Sequence, residues 1–419
     1  MIRHLFKLIW NRRRANALVI AEIFVCFLVL FAVSTLSIYS WTNYYKPLGF
    51  AYENVFSVDV QFPESKPDAG RISVAGTAAA APATPLAENP NESRQRALLA
   101  VVKSDPAVAE AAWASPLPFS HSNEQRSFAF RKRDLSYSMG RCTDEYKSVL
   151  GIDMVRGRWF GPEDDGGSYE AVVITEALAK RAFGEEDPIG QSITGDTNAD
   201  RGADVEQRVV GVMRAFKQEG EMETEEAYVL TRVLYPSRQM RRMGSMALRM
   251  KPGADASVEA RLAKALQAAA PDWSFNVEPM VMGAELNRRL YMAPLGVGAM
   301  VALFLILMVA LGLSGVLWQS VTTRIREIGV RRALGASGAD VKRQVIGELM
   351  VMATIAMLAG IAVVLQFPFL DLLGPVPKSV FFAGLSLTIV SLYGLALVCG
   401  LHPARLATTV HPAEALRYE

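Results

Sequence analysis

Residues from which enzyme and metal sites are commonly built are scarce in this sequence. Its 419 residues include three cysteines and four histidines, of which only His121 and Cys142 fall in the long polar stretch 46–289. No zinc site of recognisable spacing is present, and no disulfide can form within that stretch. The motifs G-x-S-x-G and H-E-x-x-H are also absent. The chain is therefore not expected to be an enzyme.

No Gly-Lys dipeptide occurs anywhere in the sequence. A phosphate-binding P-loop of the form G-x-x-x-x-G-K-[ST] is therefore excluded. An excess of one charge is missing too, since 44 lysines and arginines stand against 42 aspartates and glutamates. This balance gives no reason to expect nucleic-acid binding, so the placement of the charges is more informative than their number.

Four long segments contain no Asp, Glu, Lys or Arg. They are residues 23–45, 290–323, 349–370 and 379–404. Each can supply the roughly 20 apolar residues that a helix needs to cross a bilayer. Soluble helices of this length usually carry a charged face, which makes four buried core helices a poor alternative. The sequence therefore predicts four transmembrane helices.

Basic residues set the orientation of these helices. Five lysines and arginines precede the first apolar segment, and six more lie in residues 324–343, between the second and third segments. The positive-inside rule places both regions, and the tail with Arg405 and Arg417, in the cytoplasm. Both termini are therefore expected inside, and residues 46–289 outside. The predicted location is the cytoplasmic (inner) membrane.

The chain is expected to comprise nine segments. They are a cytoplasmic amphipathic N-terminal helix (1–15), the first transmembrane helix (16–45), an extracytoplasmic domain (46–288) with a mobile loop at 63–92, the second transmembrane helix with a stalk (289–323), a basic cytoplasmic segment (324–343), the third helix (344–370), an outer turn (371–378), the fourth helix (379–404) and a cytoplasmic tail (405–419). The loop is rich in Ala, Pro and polar residues.

Residues 1–15 have two interpretations of equal standing. Apolar residues recur at helical spacing opposite basic ones, as in a helix that lies on membrane lipid. The same residues could instead be a cytoplasmic extension of the first transmembrane helix. An uncleaved anchor is favoured over a signal peptide, because the apolar run is long and no A-x-A-like site follows it.

Polar and small residues near or inside the apolar runs are further candidates. Glu22 lies close to the cytoplasmic boundary of the first run, where an ionisable group is costly and often functional. Pairing with a neighbouring arginine is the favoured interpretation. Small residues at helical spacing, such as Ala356 with Gly360 and Gly312 with Gly315, allow close helix packing, although such residues are common in membrane helices.

The polar stretch contains a local strand and helix pattern. Residues 171–174 are apolar and predict a strand, and residues 176–183 predict a helix that Gly184 can end. Gly157 and Arg158 are typical of a turn with a packed arginine. We interpret these motifs as scaffold, in preference to a substrate path.

The basic segment predicts a rigid turn. Residues 324–333 can continue the second helix, and Gly335 can end it in the left-handed conformation. Ser337 with Asp340 then forms a capping-box pattern that begins the third helix.

Five stretches in three regions of the chain resemble the macrolide-exporter (MacB) and FtsX-like permeases of ABC transporters. REIGVRRALGAS at 326–337 is similar to the cytoplasmic segment between the family's second and third helices, and HPAEALRYE at 411–419 to its C-terminal end. EYKSVLGIDMVRGRWFGPEDD at 145–165, AVVITEALAKRAFGEEDPIGQSI at 171–193 and QRVVGVM at 207–213 resemble its extracytoplasmic core domain.

The resemblance implies a fold class and a coupling site. The fold is an α-helical membrane protein with four transmembrane helices and an α+β extracytoplasmic domain, porter/sabre-like, inserted between helices 1 and 2. The basic segment would dock into an ATPase subunit, as a mainly basic knob suits an acidic groove. The residues implied in this coupling are Arg324, Arg326, Glu327, Ile328, Gly329, Arg331, Arg332, Leu334, Gly335 and Ala336.

The expected function is that of a permease subunit that converts ATP hydrolysis into movement of its outer domain. Without a P-loop, the chain would depend on two copies of a separate cytoplasmic ABC ATPase, which bind ATP and Mg, and needs no cofactor itself. A second permease, identical or similar, is implied, with a periplasmic adaptor and an outer-membrane channel as further partners. There are two alternatives. One is a complex like FtsX or the lipoprotein-release permeases that regulates a cell-envelope partner. The other is a ligand-sensing receptor.

Overall fold

The protein is described by a computed structural model covering residues 13–62, 90–120, 122, 124–194, 206–224, 227–234, 240, 243–254, 257–323, 330, 337–370 and 376–409. The chain divides into two compact units. The helical unit consists of Met1–Thr42 and Tyr291–Glu419, and the inserted domain consists of Asn43–Leu290.

Nine helices and ten strands are defined among the described residues. The helices are α1 (Arg13–Tyr44), α2 (Pro90–Ser104), α3 (Tyr146–Leu150), α4 (Glu176–Phe183), α5 (Ser257–Ala269), α6 (Met280–Thr322), α7 (Gly338–Val364), α8 (Gln366–Phe369) and α9 (Lys378–Thr409). The strands are β1 (Val55–Gln61), β2 (Val108–Ser115), β3 (Glu124–Phe130), β4 (Arg133–Cys142), β5 (Met154–Gly157), β6 (Tyr169–Thr175), β7 (Glu206–Met213), β8 (Tyr228–Arg232), β9 (Ser245–Met250) and β10 (Ser274–Pro279).

Four segments of the described chain are long and apolar enough to cross a membrane, judged by length and composition. They are Ala17–Tyr44, Met280–Gln319, Gly338–Pro368 and Lys378–Leu401. The expectation of four apolar helices, with an α+β domain between the first and second, is confirmed. Helix α6 contains Pro294, which has no N–H to donate to the carbonyl group of Leu290.

Part of the inserted domain has a ferredoxin-like arrangement. Strands β10, β1, β9 and β2 pair in that order, all antiparallel. Helix α2 lies between β1 and β2 in the chain, and α5 lies between β9 and β10. Val58 and Val60 alternate with polar residues along β1 and join the apolar core that α2 and α5 share with these strands. Trp113 and Trp273 are the largest side chains of this core.

The other strands are inserted in the chain between β2 and β9. They continue the sheet as β4, β8, β6, β7 and β5, with β3 paired to β4. Strand β4 meets β2 only through Ala114 with Cys142 and Ser115 with Arg141. Pairing is mixed, since β6 is parallel to β7 and antiparallel to β8. A second apolar core lies beneath α3 and also includes Val55 of β1 and Ala247 of β9. A third lies beneath α4, within this part of the domain.

The strand and helix pattern predicted in the polar stretch is confirmed. Residues 171–174 lie in β6, and the helix at 176–183 is α4. The Thr175 side chain caps α4 by accepting from the N–H of Leu178, and Gly184 ends it with a positive φ of 66°.

The prediction of a mobile loop at 63–92 differs from the structure at the end of the loop. Residues 63–89 lie outside the described residues, but Pro90 begins α2, so the last three residues of the predicted loop are helical. Proline is tolerated at the first turn of a helix, where its missing N–H would have no partner. It therefore marks a helix start here.

Candidate functional site

The predicted ATPase-coupling residues lie outside the described part of the chain. This applies to Arg324, Arg326, Glu327, Ile328, Gly329, Arg331, Arg332, Leu334, Gly335 and Ala336. The helices on either side are described: α6 ends at Thr322 and α7 begins at Gly338. Residues 324–336 of the basic segment therefore connect two long helices, whereas its residues 338–343 belong to α7.

The capping box predicted at the start of α7 is confirmed. The Ser337 hydroxyl oxygen accepts from the backbone N–H of Asp340 at 3.3 Å. The Asp340 carboxylate in turn accepts from the backbone N–H and the hydroxyl of Ser337, at 3.0 and 2.6 Å. These bonds satisfy N–H groups that a helix start leaves without partners. Residues 324–336 are thus followed by a helix whose first turn is fixed by hydrogen bonds.

Helix α1 is in contact with all three other long helices of the helical unit, and each of them presents a glycine to it. The contacts are Gly298 with Val33, Gly312 with Glu22, Gly360 with Phe27 and Gly384 with Thr35. Glycines allow helices to approach closely, because no side chain separates them. Buried residues of α1 also belong to the apolar core that the four helices share. Helix α1 therefore packs against α6, α7 and α9.

The carboxylate of Glu22 lies beside α6. A Cβ atom at Gly312 would be 2.5 Å from the Glu22 Oε2 atom, so the glycine makes room for the acid. The Glu22 side chain is partly buried and forms no ion pair with any side chain that the structure describes. The arginine pairing predicted for it would involve residues 12–14, whose side chains lie outside the described set. Glu22 thus marks a close contact between α1 and α6.

Arg158 lies at the turn that the sequence predicts. It follows Gly157, whose φ of 69° is the positive value of a turn. Its guanidinium donates to both Asp164 carboxylate oxygens, at 2.6 and 2.7 Å, and Asp164 also accepts from the N–H of Gly161 at 3.1 Å. The hydrogen bond from Arg158 holds the pKa of the Asp164 carboxyl below its usual range. The predicted turn is confirmed, and Arg158 is held by Asp164 although its own side chain remains exposed.

A second ion-pair group fixes β8. Arg232 donates to Asp144 at 2.6 and 2.7 Å and to Asp165 at 2.6 Å, and its side chain is nearly buried. The bonds to Asp144 raise the pKa of the Arg232 guanidinium. Because every carboxylate here is bound to an arginine, the group acts as scaffold.

Within the described residues, no group of three or more His, Cys, Asp or Glu could hold a metal ion. The Cys142 thiol is fully buried, and burial raises its pKa well above the usual value, which makes it chemically inert. A cleft of about 220 Å³ beside α4 is lined by side chains of both charges, among them Arg156, Lys180 and Glu185. This mixed lining selects no single class of ligand.

Two of the four glycines that contact α1 are identified from the sequence. Gly312 and Gly360 were noted as small residues, whereas Gly298 and Gly384 were not. Gly315, noted together with Gly312, faces open space. Glycines inside apolar runs are the available signal, but the sequence does not tell which of them face another helix.

Two family models match the chain. The model of the MacB-like periplasmic core domain matches residues 29–265. The model of the FtsX-like permease C-terminal region matches residues 299–412. Together they cover most of the inserted domain and most of the last three long helices, in the order that the sequence resemblance implied.

Similar curated proteins are exporters with an ATP-binding part. The macrolide export ATP-binding/permease protein MacB of Neisseria gonorrhoeae is 24% identical over 316 residues, which are 72% of this chain and 46% of that protein. The MacB of Bdellovibrio bacteriovorus is 28% identical over 289 residues, 65% of this chain and 43% of that protein. The pyoverdine export ATP-binding/permease protein PvdT of Pseudomonas savastanoi is 25% identical over 297 residues, 68% of this chain and 43% of that protein. The chain thus spans about half the length of these relatives.

Solved structures of the same kind of domain are also similar. The periplasmic region of MacB from Actinobacillus actinomycetemcomitans matches with 13% identity and a TM-score of 0.36, covering 57% of this chain and 94% of that one. The extracellular domain of the transporter YknZ from Gram-positive bacteria matches with 12% identity and a TM-score of 0.33, covering 52% and 99%. At these scores the likeness carries no further argument.

Proposed function

Because the chain belongs to the MacB/FtsX-type family of ABC transporter permeases, we propose that it is the membrane subunit of an export-type transporter. Its task is to convert ATP hydrolysis into movement of the inserted domain. The names of relatives that export macrolides or pyoverdine favour export of a substrate over sensing of a ligand. Both substrates are named for those proteins only.

ATP hydrolysis is supplied, in this proposal, by a separate ABC ATPase. The 419 residues contain no Gly-Lys dipeptide and hence no P-loop. The two family models that match describe a periplasmic core domain and a permease C-terminal region. Two ATPase copies and a second permease would complete the transporter. This chain would lie in the inner membrane, with both of its termini in the cytoplasm and the inserted domain outside.

The length of α6 is the observation that carries the proposal. This helix begins at Met280 in the inserted domain and ends at Thr322, just before the basic segment. With about 1.5 Å of rise per residue, it is about 65 Å long. Apart from the bond that Pro294 cannot donate, α6 can be hydrogen-bonded from turn to turn, so a displacement at the basic segment can be passed along it to the inserted domain. A single helix, α6, therefore connects the basic segment, where movement would begin, to the inserted domain, where it would arrive.

Residues 324–336 are the proposed input. Reversing the charge of Glu327 or Arg331 there should weaken the docking of the ATPase, because each of the two side chains is expected to face a group of opposite charge on the ATPase. The experiment purifies the tagged chain with its co-purifying ATPase, reconstitutes the complex in lipid nanodiscs, and measures association and ATP hydrolysis. Glu327→Lys and Arg331→Glu should lower both. Arg156→Glu, an exposed charge reversal in the inserted domain, is the matched control and should lower neither.

Two results would count against this function. If no ABC ATPase co-purifies with the wild-type chain, the transporter assignment fails. If the ATPase binds equally well to Glu327→Lys and Arg331→Glu, the docking site is elsewhere. A co-purifying hydrolase or kinase would point instead to a regulatory complex or to a sensor.

A further inference from the structure

A short loop of the inserted domain contacts the end of α1 and the start of α6. It consists of residues 215–223, follows β7 in the chain, and is called the bridging loop below. All of its contacts described here lie within Asn43–Leu290, that is, within the inserted domain. No part of the predicted coupling site includes this loop.

Lys217 joins the bridging loop to the end of α1. Its side chain is fully buried, and its ammonium group donates to the backbone carbonyl groups of Asn43, Glu221 and Lys46 at 2.7, 3.2 and 3.4 Å. The last carbonyls of a helix have no partner within the helix, and a cation near them is favourable. A buried ammonium group is costly unless it is hydrogen-bonded, which fixes Lys217 at this position.

Asn43 makes a second bond between the same two elements. Its side-chain amide donates to the carbonyl of Met222 at 3.4 Å, and the residue is 2% exposed. The backbone N–H of Lys217 also donates to the carbonyl of Leu48 at 3.1 Å. The end of α1 and the residues that follow it are thus bound to the loop at several points.

Asn287 joins the loop to the first turns of α6. Its side-chain amide donates to the carbonyl of Glu219 at 3.0 Å, and the residue is 4% exposed. Phe119 lies between the loop and the helix, since Cβ atoms added at Gly220 and Gly283 would be 3.3 and 3.2 Å from its side chain. The N–H of Phe119 donates to the carbonyl of Gln218 at 2.7 Å. A side chain at Gly220 or at Gly283 would therefore press against Phe119.

The bridging loop is also bonded internally, which allows it to move as a unit. The N–H of Gly220 donates to the carbonyl of Lys217, and the N–H of Glu223 to that of Gly220, both at 3.2 Å. The hydroxyl of Tyr52 donates to the Glu221 carboxylate at 3.1 Å. Burial, followed by the Glu221 charge, raises the pKa of Tyr52, so this hydroxyl stays a donor at neutral pH.

We propose that the bridging loop couples the end of α1 to the start of α6, and that Lys217 is the positioning residue that fixes α1 to it. Movement of either helix end is then passed through the loop to β7, which precedes it, and through Phe119 to β2. The inference rests on the transport function proposed above. It adds the element by which helix movement would reach the sheet.

The test uses the full chain with its co-purifying ATPase in lipid nanodiscs. Amide hydrogen exchange is measured with and without ATP, and the readout is the ATP-induced difference in β7 and β2. Lys217→Met removes the ammonium group and keeps the length of the side chain. We expect this variant to bind the ATPase and hydrolyse ATP, while the ATP-induced difference falls about fivefold or more, the lower range of coupling between sites. A purely structural role would raise exchange equally in both states and leave the difference intact.

Asn287→Leu breaks the link from the other side and gives the same test if Lys217→Met does not fold. Because both residues act through one loop, the double variant should lose little more than either single one. Ser245→Ala is the control. It loses a buried bond of 2.6 Å to the carbonyl of Ala114 in the same domain and should keep the ATP-induced difference.

The outcomes separate the two proposals. A wild-type ATP-induced difference in a folded Lys217→Met or Asn287→Leu variant overturns the role of the bridging loop and leaves the transport function standing. A wild-type complex with no ATP-induced difference anywhere in the inserted domain overturns both. Loss of the difference in the two variants but not in Ser245→Ala supports the coupling role.

Discussion

Gly384 of α9 packs against the backbone of Thr35 in α1. A Cβ atom at position 384 would lie 2.9 Å from the Thr35 Cα atom, closer than such atoms approach in folded proteins. Gly384→Ala should therefore push the two helices apart and destabilise the protein by about 1–3 kcal/mol, as overpacked substitutions do. The measurement is thermal unfolding of the purified protein in detergent, followed by tryptophan fluorescence.

Gly394, in the same helix, is the matched control. A Cβ atom there would meet nothing within 4 Å. Because alanine favours the helix over glycine, Gly394→Ala should be neutral or slightly stabilising. Equal melting temperatures for the two variants would contradict the close packing of α9 on α1.

Local features of this chain could be predicted from its sequence. The charge-free runs identified the four apolar helices, because the cost of charge in a membrane applies to each segment separately. The Ser337 and Asp340 cap and the end of α4 at Gly184 were readable for the same reason. Each depends on residues only a few positions apart.

Features that depend on distant residues could not be predicted. A lysine in a polar stretch is expected at the surface, yet Lys217 is buried because Asn43, 174 residues away in the chain, supplies a carbonyl group. The ferredoxin-like pairing was hidden as well, since the residues between β2 and β9 separate strands that are neighbours in the sheet. Which glycines face α1 depends on how the helices pack.

The Asp164 and Arg158 pair should make stability depend on pH. The pKa of Asp164 is lower in the folded protein than in the unfolded chain, chiefly because of the hydrogen bond from Arg158. The unfolded chain therefore binds more protons as pH falls, so the stabilisation is present above the usual Asp pKa and is lost as pH falls through the folded value. At neutral pH, Asp164→Asn should cost about 2 kcal/mol, since it removes hydrogen bonds between charged groups.

Thermal unfolding of Asp164→Asn and the wild type at about pH 7 and about pH 3 checks this dependence. The difference between the two proteins should be large at the higher pH and shrink at the lower one. Asp134 is exposed, and Asp134→Asn should have no effect at either pH. A difference for Asp164→Asn that stays constant with pH would show that the charge of Asp164 is not what stabilises the fold.

Cysteine labelling should give opposite sides for the inserted domain and the start of α7. Cys142 is fully buried with a raised thiol pKa, so it should react with maleimide only after unfolding and cannot report topology. Exposed positions Gln125 and Ala339 are suitable instead. In a chain with Cys399 replaced by Ser, a membrane-impermeant maleimide should label Gln125→Cys from outside the membrane. It should label Ala339→Cys only after permeabilisation, and labelling of both from the same side would refute the proposed orientation.

The cap between Ser337 and Asp340 should affect coupling more than folding. Ser337→Ala removes the side-chain bond that fixes the first turn of α7, which costs about 1 kcal/mol at a helix start. This turn follows directly on residues 324–336. A frayed helix start should therefore lower the rate of ATP hydrolysis by the reconstituted complex, while the melting temperature changes little. Ser337→Thr keeps a hydroxyl that can cap the helix, so its complex should hydrolyse ATP at about the wild-type rate. If Ser337→Ala hydrolyses ATP at the wild-type rate in the complex, the fixed helix start is not needed for docking, and the coupling contact would have to lie within residues 324–336 alone.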